Sequence, residues 1–286
     1  MPVAHVGPND IYYELSGAGA SPPVLLIMGF ATDANGWERQ VPALAAERRV
    51  LVLDNRGAGR SAKPRGPYSV DELADDALGV LEAAGLDGPV HLVGASLGGA
   101  IAQELTLRRP ERVRSLALIA TFTALDESMR ASAREGAGVA TGRAGVDLKV
   151  VVQSMSSGDA SLDPRALLKF LMPLVFSRDF LERERETLKA MLERTLSYGV
   201  EPRGFAGQLA AALAHDTRER LGAIRAPTLV VTGDRDKLVP PAQSRAIAER
   251  IPGARLVEIE GGTHGLPLER AAELNALLSG WLREND

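Results

Sequence analysis

Apolar residues along this chain fall into short runs separated by segments with a helical period. Runs rich in Val, Leu and Ile occupy residues 24–28, 50–54, 90–94, 116–121, 228–233 and 255–259. Their length and the turn-forming residues between them predict strands. The intervening pattern predicts helices over 37–47, 69–84, 97–109, 241–250 and 268–283, with Pro267 near the first turn of the last. Ahead of the first long run, residues 4–6 and 11–15 predict a hairpin turning at Gly7-Pro8-Asn9-Asp10. Strands alternating with helices imply an α/β fold on a mainly parallel sheet.

The rhythm breaks once. Between Thr121 and about Leu221 no convincing strand occurs, and helical patterns cover 126–135, 146–155, 164–176, 180–198 and 202–215. Asp163-Pro164 offers an N-cap and a first-turn proline, and Ser177-Arg178-Asp179 separates the next pair. A helical insertion within such a sheet is expected to form a lid over the C-terminal strand ends, where these sheets hold ligands. The run Phe170-Leu171-Met172-Pro173-Leu174-Val175-Phe176 is too apolar for a solvated helix. It predicts contact between lid and sheet, with a minority of its residues facing a pocket.

Composition narrows the classes. At 286 residues the chain is long for one minimal domain and short for two full ones. The formal net charge is −4 with no basic run, so neither nucleic acid nor an anionic membrane is an expected partner. With no cysteine, disulfides, thiolate chemistry and Cys-based metal sites are excluded. The N-terminal residues have neither the basic nor the apolar region of a signal peptide. No stretch approaches the roughly 20 apolar residues of a membrane span, so a cytoplasmic location is expected.

One segment concentrates the chemistry. Val90-His91-Leu92-Val93-Gly94 predicts a buried strand stopping at a glycine, and Leu97-Gly98-Gly99-Ala100 opens a helix. Ser96 therefore stands at the apex of a sharp turn, where φ is positive and the neighbours must be small. Such a turn costs stability and is a poor choice for packing alone. Ser96 is expected to be a nucleophile, against the plainer reading of a Gly-rich turn with an incidental serine.

A serine hydroxyl needs a general base in reach, and histidine titrates near neutral pH. Of the four histidines, His5 belongs to the opening hairpin, His91 to the strand before Ser96 and His215 to a helix end. His264 follows the last strand, within Gly261-Gly262-Thr263-His264-Gly265, at the sheet end where Ser96 emerges. It is the expected base. That base needs a buried acid to orient it. Asp234 and Asp236 compete for the role in Gly233-Asp234-Arg235-Asp236-Lys237-Leu238-Val239-Pro240, and either could instead cap the next helix or pair with Arg235 or Lys237.

Taken together these segments resemble the α/β-hydrolase fold superfamily over nearly the whole chain. Gly94-Ala95-Ser96-Leu97-Gly98 is similar to its nucleophile elbow, and Gly262-Thr263-His264-Gly265 to its base loop. The register of the acid loop, closing on Leu238-Val239-Pro240, selects Asp236 over Asp234. Asp54-Asn55-Arg56-Gly57-Ala58-Gly59-Arg60-Ser61 is like the family's turn after the strand preceding the elbow. That turn also satisfies a dinucleotide fingerprint through Ala62, but Lys63-Pro64-Arg65-Gly66-Pro67 follows where a phosphate-holding helix would have to start.

The resemblance implies a core of roughly eight mostly parallel strands flanked by helices, spanning residues 1–122 and 217–286, with residues 123–216 as the inserted helical lid. It implies a Ser96–Asp236–His264 triad and an oxyanion hole made by the backbone N–H groups of Phe30 and Leu97. The family usually has histidine where this chain has Met28, which puts in question how the Phe30 loop is braced. Phe30 and Trp37 could wall a pocket or belong to the core. No metal or organic cofactor is implied. The family's members most like this chain are small-molecule carboxylesterases, enol-lactonases and methylesterases; for this chain a monomer or homodimer acting on a small-molecule ester or lactone is expected. C–C bond hydrolases, cofactor-free haloperoxidases and a ligand-binding protein with a vestigial triad are the alternatives.

Overall fold

The computed structural model describes residues 2–125, 164–199 and 201–286. Strands β1 (Val3–Val6), β2 (Asn9–Ser16), β3 (Ser21–Ile27), β4 (Arg48–Leu53), β5 (Val90–Ala95), β6 (Val113–Ile119), β7 (Thr228–Gly233) and β8 (Arg255–Ile259) form one eight-stranded sheet. Their order is β1-β2-β4-β3-β5-β6-β7-β8. β1 pairs with β2 and β2 with β4 antiparallel, and every other neighbouring pair is parallel. This is the predicted α/β-hydrolase architecture.

Side chains alternate across the central strands and so supply two apolar layers. Leu25, Ile27, Leu92, Leu116 and Leu118 join one layer, covered by α2 (Val70–Ala83), α3 (Leu97–Arg108) and α8 (Pro241–Arg250). Leu26, Val93, Ala117, Ile119 and Val231 join the other, covered by α1 (Val41–Ala45), α9 (Leu266–Glu269) and α10 (Ala271–Glu284). α2 starts where its sequence dictates. The Ser69 hydroxyl accepts from Glu72 N–H at 3.2 Å while the Glu72 carboxylate accepts from Ser69 N–H at 2.9 Å, a complete capping box.

Three predicted helices are interrupted. The span 37–47 resolves into a 3₁₀ turn at Ala34–Trp37 and then α1, which has Pro42 in its first turn. The span 268–283 breaks at Arg270 between α9 and α10. These two breaks bond to each other: Arg39 donates to Leu268 O, buried Gln40 to Pro267 O, and Asn275 to Arg39 O. Long-range partners for main-chain groups thus outweigh local helix propensity. The third span, 180–198, divides at Glu184 into α5 (Arg178–Arg183) and α6 (Arg185–Ser197). Strand β6 stops at Ile119, short of the predicted end, because Ala120 turns to φ 46°.

Helices α4 (Pro164–Val175), α5, α6 and α7 (Pro202–Ala214) stand between β6 and β7 in sequence, as the predicted insertion requires. The helices expected over 126–135 and 146–155 lie outside the described residues. Among the apolar run predicted to touch the core, Phe176 is buried with Phe180, Leu188 and Leu268, and Met172 and Val175 pack against them.

The strand order fixes where a site can form. β3 lies between β4 and β5, so the chain first extends the sheet on one side of β3 and later returns to its other side. The crevice at the C-terminal ends of β3 and β5 is the switch point at which open α/β sheets hold ligands. Ser96 follows β5, and residues 28–32 follow β3.

Candidate active site

Ser96 links β5 to α3 with φ 54° and ψ −122°. Crowding holds it there: a Cβ on Gly94 would collide with the Gly98 carbonyl, and one on Gly98 with the carbonyls of Ile27 and Met28. The Ser96 N–H donates to Ile119 O at 2.9 Å, and Ser96 O accepts from Thr121 Oγ1 at 2.6 Å. Its hydroxyl makes no hydrogen bond among the described residues and is half-buried. Ala31 (φ 58°) and Ala120 (φ 46°) are the other non-glycine residues with positive φ among those described. All three follow C-terminal strand ends. Left-handed backbone of this kind costs of order 1–3 kcal/mol per residue and persists where the surroundings over-determine it.

His264 Nδ1 lies 2.8 Å from Asp236 Oδ2. The other carboxylate oxygen, Oδ1, accepts from the N–H groups of Leu238 at 2.9 Å and Val239 at 2.8 Å. Asp236 is fully buried at its side chain and His264 is 9% exposed. A carboxylate engaged through both oxygens cannot swing, and it selects the imidazole tautomer with the proton on Nδ1. Nε2 is left with its lone pair. The two supporting loops bond to one another, with Arg235 N–H donating to Gly262 O at 2.9 Å. Asp234, the competing acid, is exposed.

The loop after β3 lies directly against the turn at Ser96. A Cβ added to Gly29 would meet Ser96 Cβ at 2.9 Å. Neither the Phe30 nor the Leu97 N–H has an acceptor among the described residues. Met28, in place of the family's histidine, buries its side chain in the core beneath Gly36. Bracing comes from elsewhere: Asn55 donates to Met28 O at 2.7 Å, and Ala31 N–H donates to Gln208 Oε1 at 2.8 Å. Phe30 tilts against Phe205 with ring centroids 5.7 Å apart, whereas Trp37 is wholly buried core.

The turn after β4 is a second rigid element. Asp54, fully buried, accepts from Ala34 N–H, Arg60 N–H and the Arg60 guanidinium at 2.7–2.9 Å. Arg60 also lies 3.6 Å over the Tyr12 ring, and these partners hold its pKa above the usual arginine range despite burial. Arg56 forks onto buried Asp76 at 2.8 Å. No helix starts here until α2.

The inserted helices meet the loops at this same end of the sheet. Gly265 N–H donates to Val175 O at 2.8 Å. Glu269 accepts from Ser177 N–H at 3.1 Å, from the Ser177 hydroxyl, and from Thr263 Oγ1 at 2.5 Å. Thr195 donates to Asp33 at 3.1 Å and Lys63 to Tyr198 O at 3.4 Å. The backbones of Gly57 and Gly204 approach so closely that neither position has room for a Cβ. Gln208, Glu269 and Asn55 escaped the sequence reading. Only Gln208 left a signal: one amide in an otherwise apolar stretch of α7 must find buried partners.

The remaining histidines lie away from these loops or cap a helix. His5 is exposed beside Asp10, and His91 is buried in β5. His215 caps the C-terminus of α7 and packs edge-on to Phe122. A cavity of about 350 Å³ beside the Asp236 loop is lined by Phe122, Leu125, Leu238, Val239, Gln243 and Arg218 among others, and by neither Ser96 nor His264. Among the described residues, no helix is long and apolar enough to cross a membrane.

Comparison with known proteins identifies the family. A family model described as the alpha/beta hydrolase fold matches residues 22–271. The chain belongs to that family and is an α/β-hydrolase. It is similar over 100% of both chains, at 35% identity, to an Azorhizobium caulinodans protein provisionally named carbamate hydrolase RutD. Rhodomycin D methylesterase DauP of Streptomyces sp. (strain C5) is 31% identical over 94% of each chain. Among solved structures, the enol-lactonase from Burkholderia xenovorans LB400 superposes with a TM-score of 0.81 at 28% identity, covering 99% of this chain and 100% of its own.

Proposed function

We propose that this α/β-hydrolase is a serine hydrolase cleaving a small-molecule carboxylic ester or lactone through an acyl-enzyme, with Ser96 as nucleophile, His264 as base and Asp236 as the orienting acid. One observation carries the reading: a serine hydroxyl on a strained turn, without a hydrogen-bond partner among the described residues, at the same sheet end as an imidazole already committed through Nδ1 to a buried carboxylate. The names of the methylesterase and the enol-lactonase support the substrate class.

His264 Nε2 takes the Ser96 proton as Oγ attacks the carbonyl carbon. The carbonyl oxygen gains the negative charge and is held by the Phe30 and Leu97 N–H groups. Asp236 stabilises the imidazolium without taking its proton. Collapse breaks the bond to the alcohol oxygen, which leaves with the proton from Nε2. In a lactone it stays tethered to the acyl group. Water then gives a proton to His264 and attacks the ester carbon. The second collapse returns that proton to Ser96 and releases the acid.

The core comprises residues 1–122 and 217–286, and residues 123–216 form the lid over it. The contacts of α4–α7 with the loops after β3, β4 and β8 support that division. The near-neutral charge without a basic run supports an enzyme that has no nucleic-acid partner, and a cytoplasmic, monomeric or dimeric protein completes the proposal. A panel of chromogenic esters and lactones of graded acyl length, combined with labelling by a serine-directed phosphonate, tests the function. Turnover with stoichiometric modification of Ser96 is the expected result. Neither turnover nor labelling would leave a binding protein on a hydrolase scaffold.

A further inference from the structure

The loop that carries the Phe30 N–H is held by hydrogen bonds on successive peptide units. Met28 O accepts from Asn55. Gly29 O accepts from Thr32 N–H at 3.4 Å, closing a turn. In a trans peptide the N–H points opposite to the C=O, so with Gly29 O directed into the turn the Phe30 N–H points out of it. In the next unit, Phe30 O accepts from Thr32 Oγ1 at 3.1 Å and Ala31 N–H donates to Gln208 Oε1 at 2.8 Å. That unit leads into Ala31 at φ 58°, a conformation an alanine abandons unless it is held.

Among the described residues, Gln208 is the one contributor to this clamp from the inserted helices, standing 177 positions away in sequence. Its side chain is wholly buried. The other half of its amide donates to Arg56 O at 2.8 Å, and Arg56 is itself locked to Asp76. Both ends of the amide are therefore satisfied on separate core loops, and the side chain has one usable orientation. Helix α7, part of the proposed lid, also sets the plane of a peptide next to Ser96.

We infer that Gln208 is a positioning residue for the oxyanion hole, acting through Ala31 to aim the Phe30 N–H. The inference rests on the serine-hydrolase reading above. Gln208 touches no substrate. Its effect is confined to the state in which charge has moved onto the carbonyl oxygen, because the Phe30 N–H gains most of its interaction energy there. Substrate binding should therefore be nearly indifferent to it, and turnover should not.

Q208M preserves length and volume while removing both hydrogen bonds. On a short-chain ester it is expected to lower kcat by about 10- to 100-fold with KM changed less than about threefold. A trifluoromethyl ketone, which forms an oxyanion on adding Ser96, should lose affinity by the same factor as kcat/KM. Loss of packing alone would not tie these two quantities together. A folded Q208M with kcat within about threefold of the parent overturns the inference, as does a rate loss without a matching loss of ketone affinity. If Q208M does not fold, amide exchange on the unaltered protein decides. Protection of the Ala31 N–H comparable to the amides within α7 sustains the clamp, and exchange at the rate of an exposed loop removes it. Failure of the underlying reading looks different: the unaltered protein neither turns over esters nor takes the phosphonate, which overturns both.

Discussion

Asp236, the proposed acid, and the proposed oxyanion loop at 28–32 are supported in opposite ways. Asp236 takes its bonds from amides two and three residues further on, and its loop is tied to the His264 loop by neighbouring backbone. The loop at 28–32 depends instead on Asn55 and on Gln208, the latter 177 positions away. His264 is intermediate, since Gly265 and Glu269 fasten its loop to Val175 and Ser177 of the insertion. The difference teaches that, on the proposed roles, the acid is preorganised within the core, while the base loop is fastened partly to the insertion. The groups that receive charge are preorganised partly by the lid.

The contrast can be broken outright at the proposed nucleophile. Ser96→Ala should fold and lose on the order of 10⁴-fold or more in kcat, since it removes the group that both regions serve. Near-native turnover would end the elbow reading. Next in size, Asp236→Asn should cost about 10³- to 10⁴-fold, because the amide cannot fix the tautomer or stabilise the imidazolium. Asp234→Asn, on an exposed side chain, should change the rate little. Rate measurements on this pair decide the acid, and a reversed order would move it to Asp234.

Smaller effects sharpen the comparison. Glu269→Gln weakens the fastening between Thr263 and Ser177 without touching Asp236. A loss of roughly threefold to tenfold in kcat is expected, with hydrogen exchange accelerated around 175–177. No change in either would show that the base loop needs nothing from the insertion. Exchanging one apolar residue for another at Met172 or Phe176 should alter acyl-chain preference more than the rate on an acetyl ester. Equal effects on every chain length would deny this segment a part in selecting substrates.

The smallest effect on catalysis is expected at the other end of β5. His91 is fully buried, with Nδ1 2.8 Å from Ser115 Oγ and Nε2 3.1 Å from Asp286, whose carboxylate also pairs with Arg48. Burial lowers its pKa to about 4 from 6.5, and Asp286 offsets only part of that shift. The unfolded chain binds this proton at higher pH than the native one does. The stabilisation is therefore complete above about 6.5 and is lost as pH falls toward 4, by up to about 3 kcal/mol. Urea unfolding of the parent and of His91→Gln at pH 7 and pH 5 checks it. The variant should show the flatter pH dependence, with relative rates on different esters unchanged.

Much of this site was legible because its requirements are local. Gly94 and Gly98 are demanded by backbone crowding around Ser96, so their spacing, read with the strand before and the helix after, revealed the sharp turn there. The register of Asp236 to Val239 is that of a carboxylate capping its own loop. Helix continuity was less legible: Arg39, Gln40 and Asn275 break two helices through bonds across the fold, which no window of sequence contains. Gln208 was hidden for the same reason. A lone glutamine announces that it needs buried partners but not which ones.

The contact between Gly57 and Gly204 has a consequence for recombination. Two backbones in contact without a side chain between them form a joint that accepts one shape on each side. A chimera that receives the insertion of a related enzyme must bring a residue without a Cβ at 204 and an amide at 208, or its new helix will stand off from the core. Grafts that respect both positions should retain turnover while changing selectivity. Grafts that keep only the helix length should fold as hydrolases and work as poor ones.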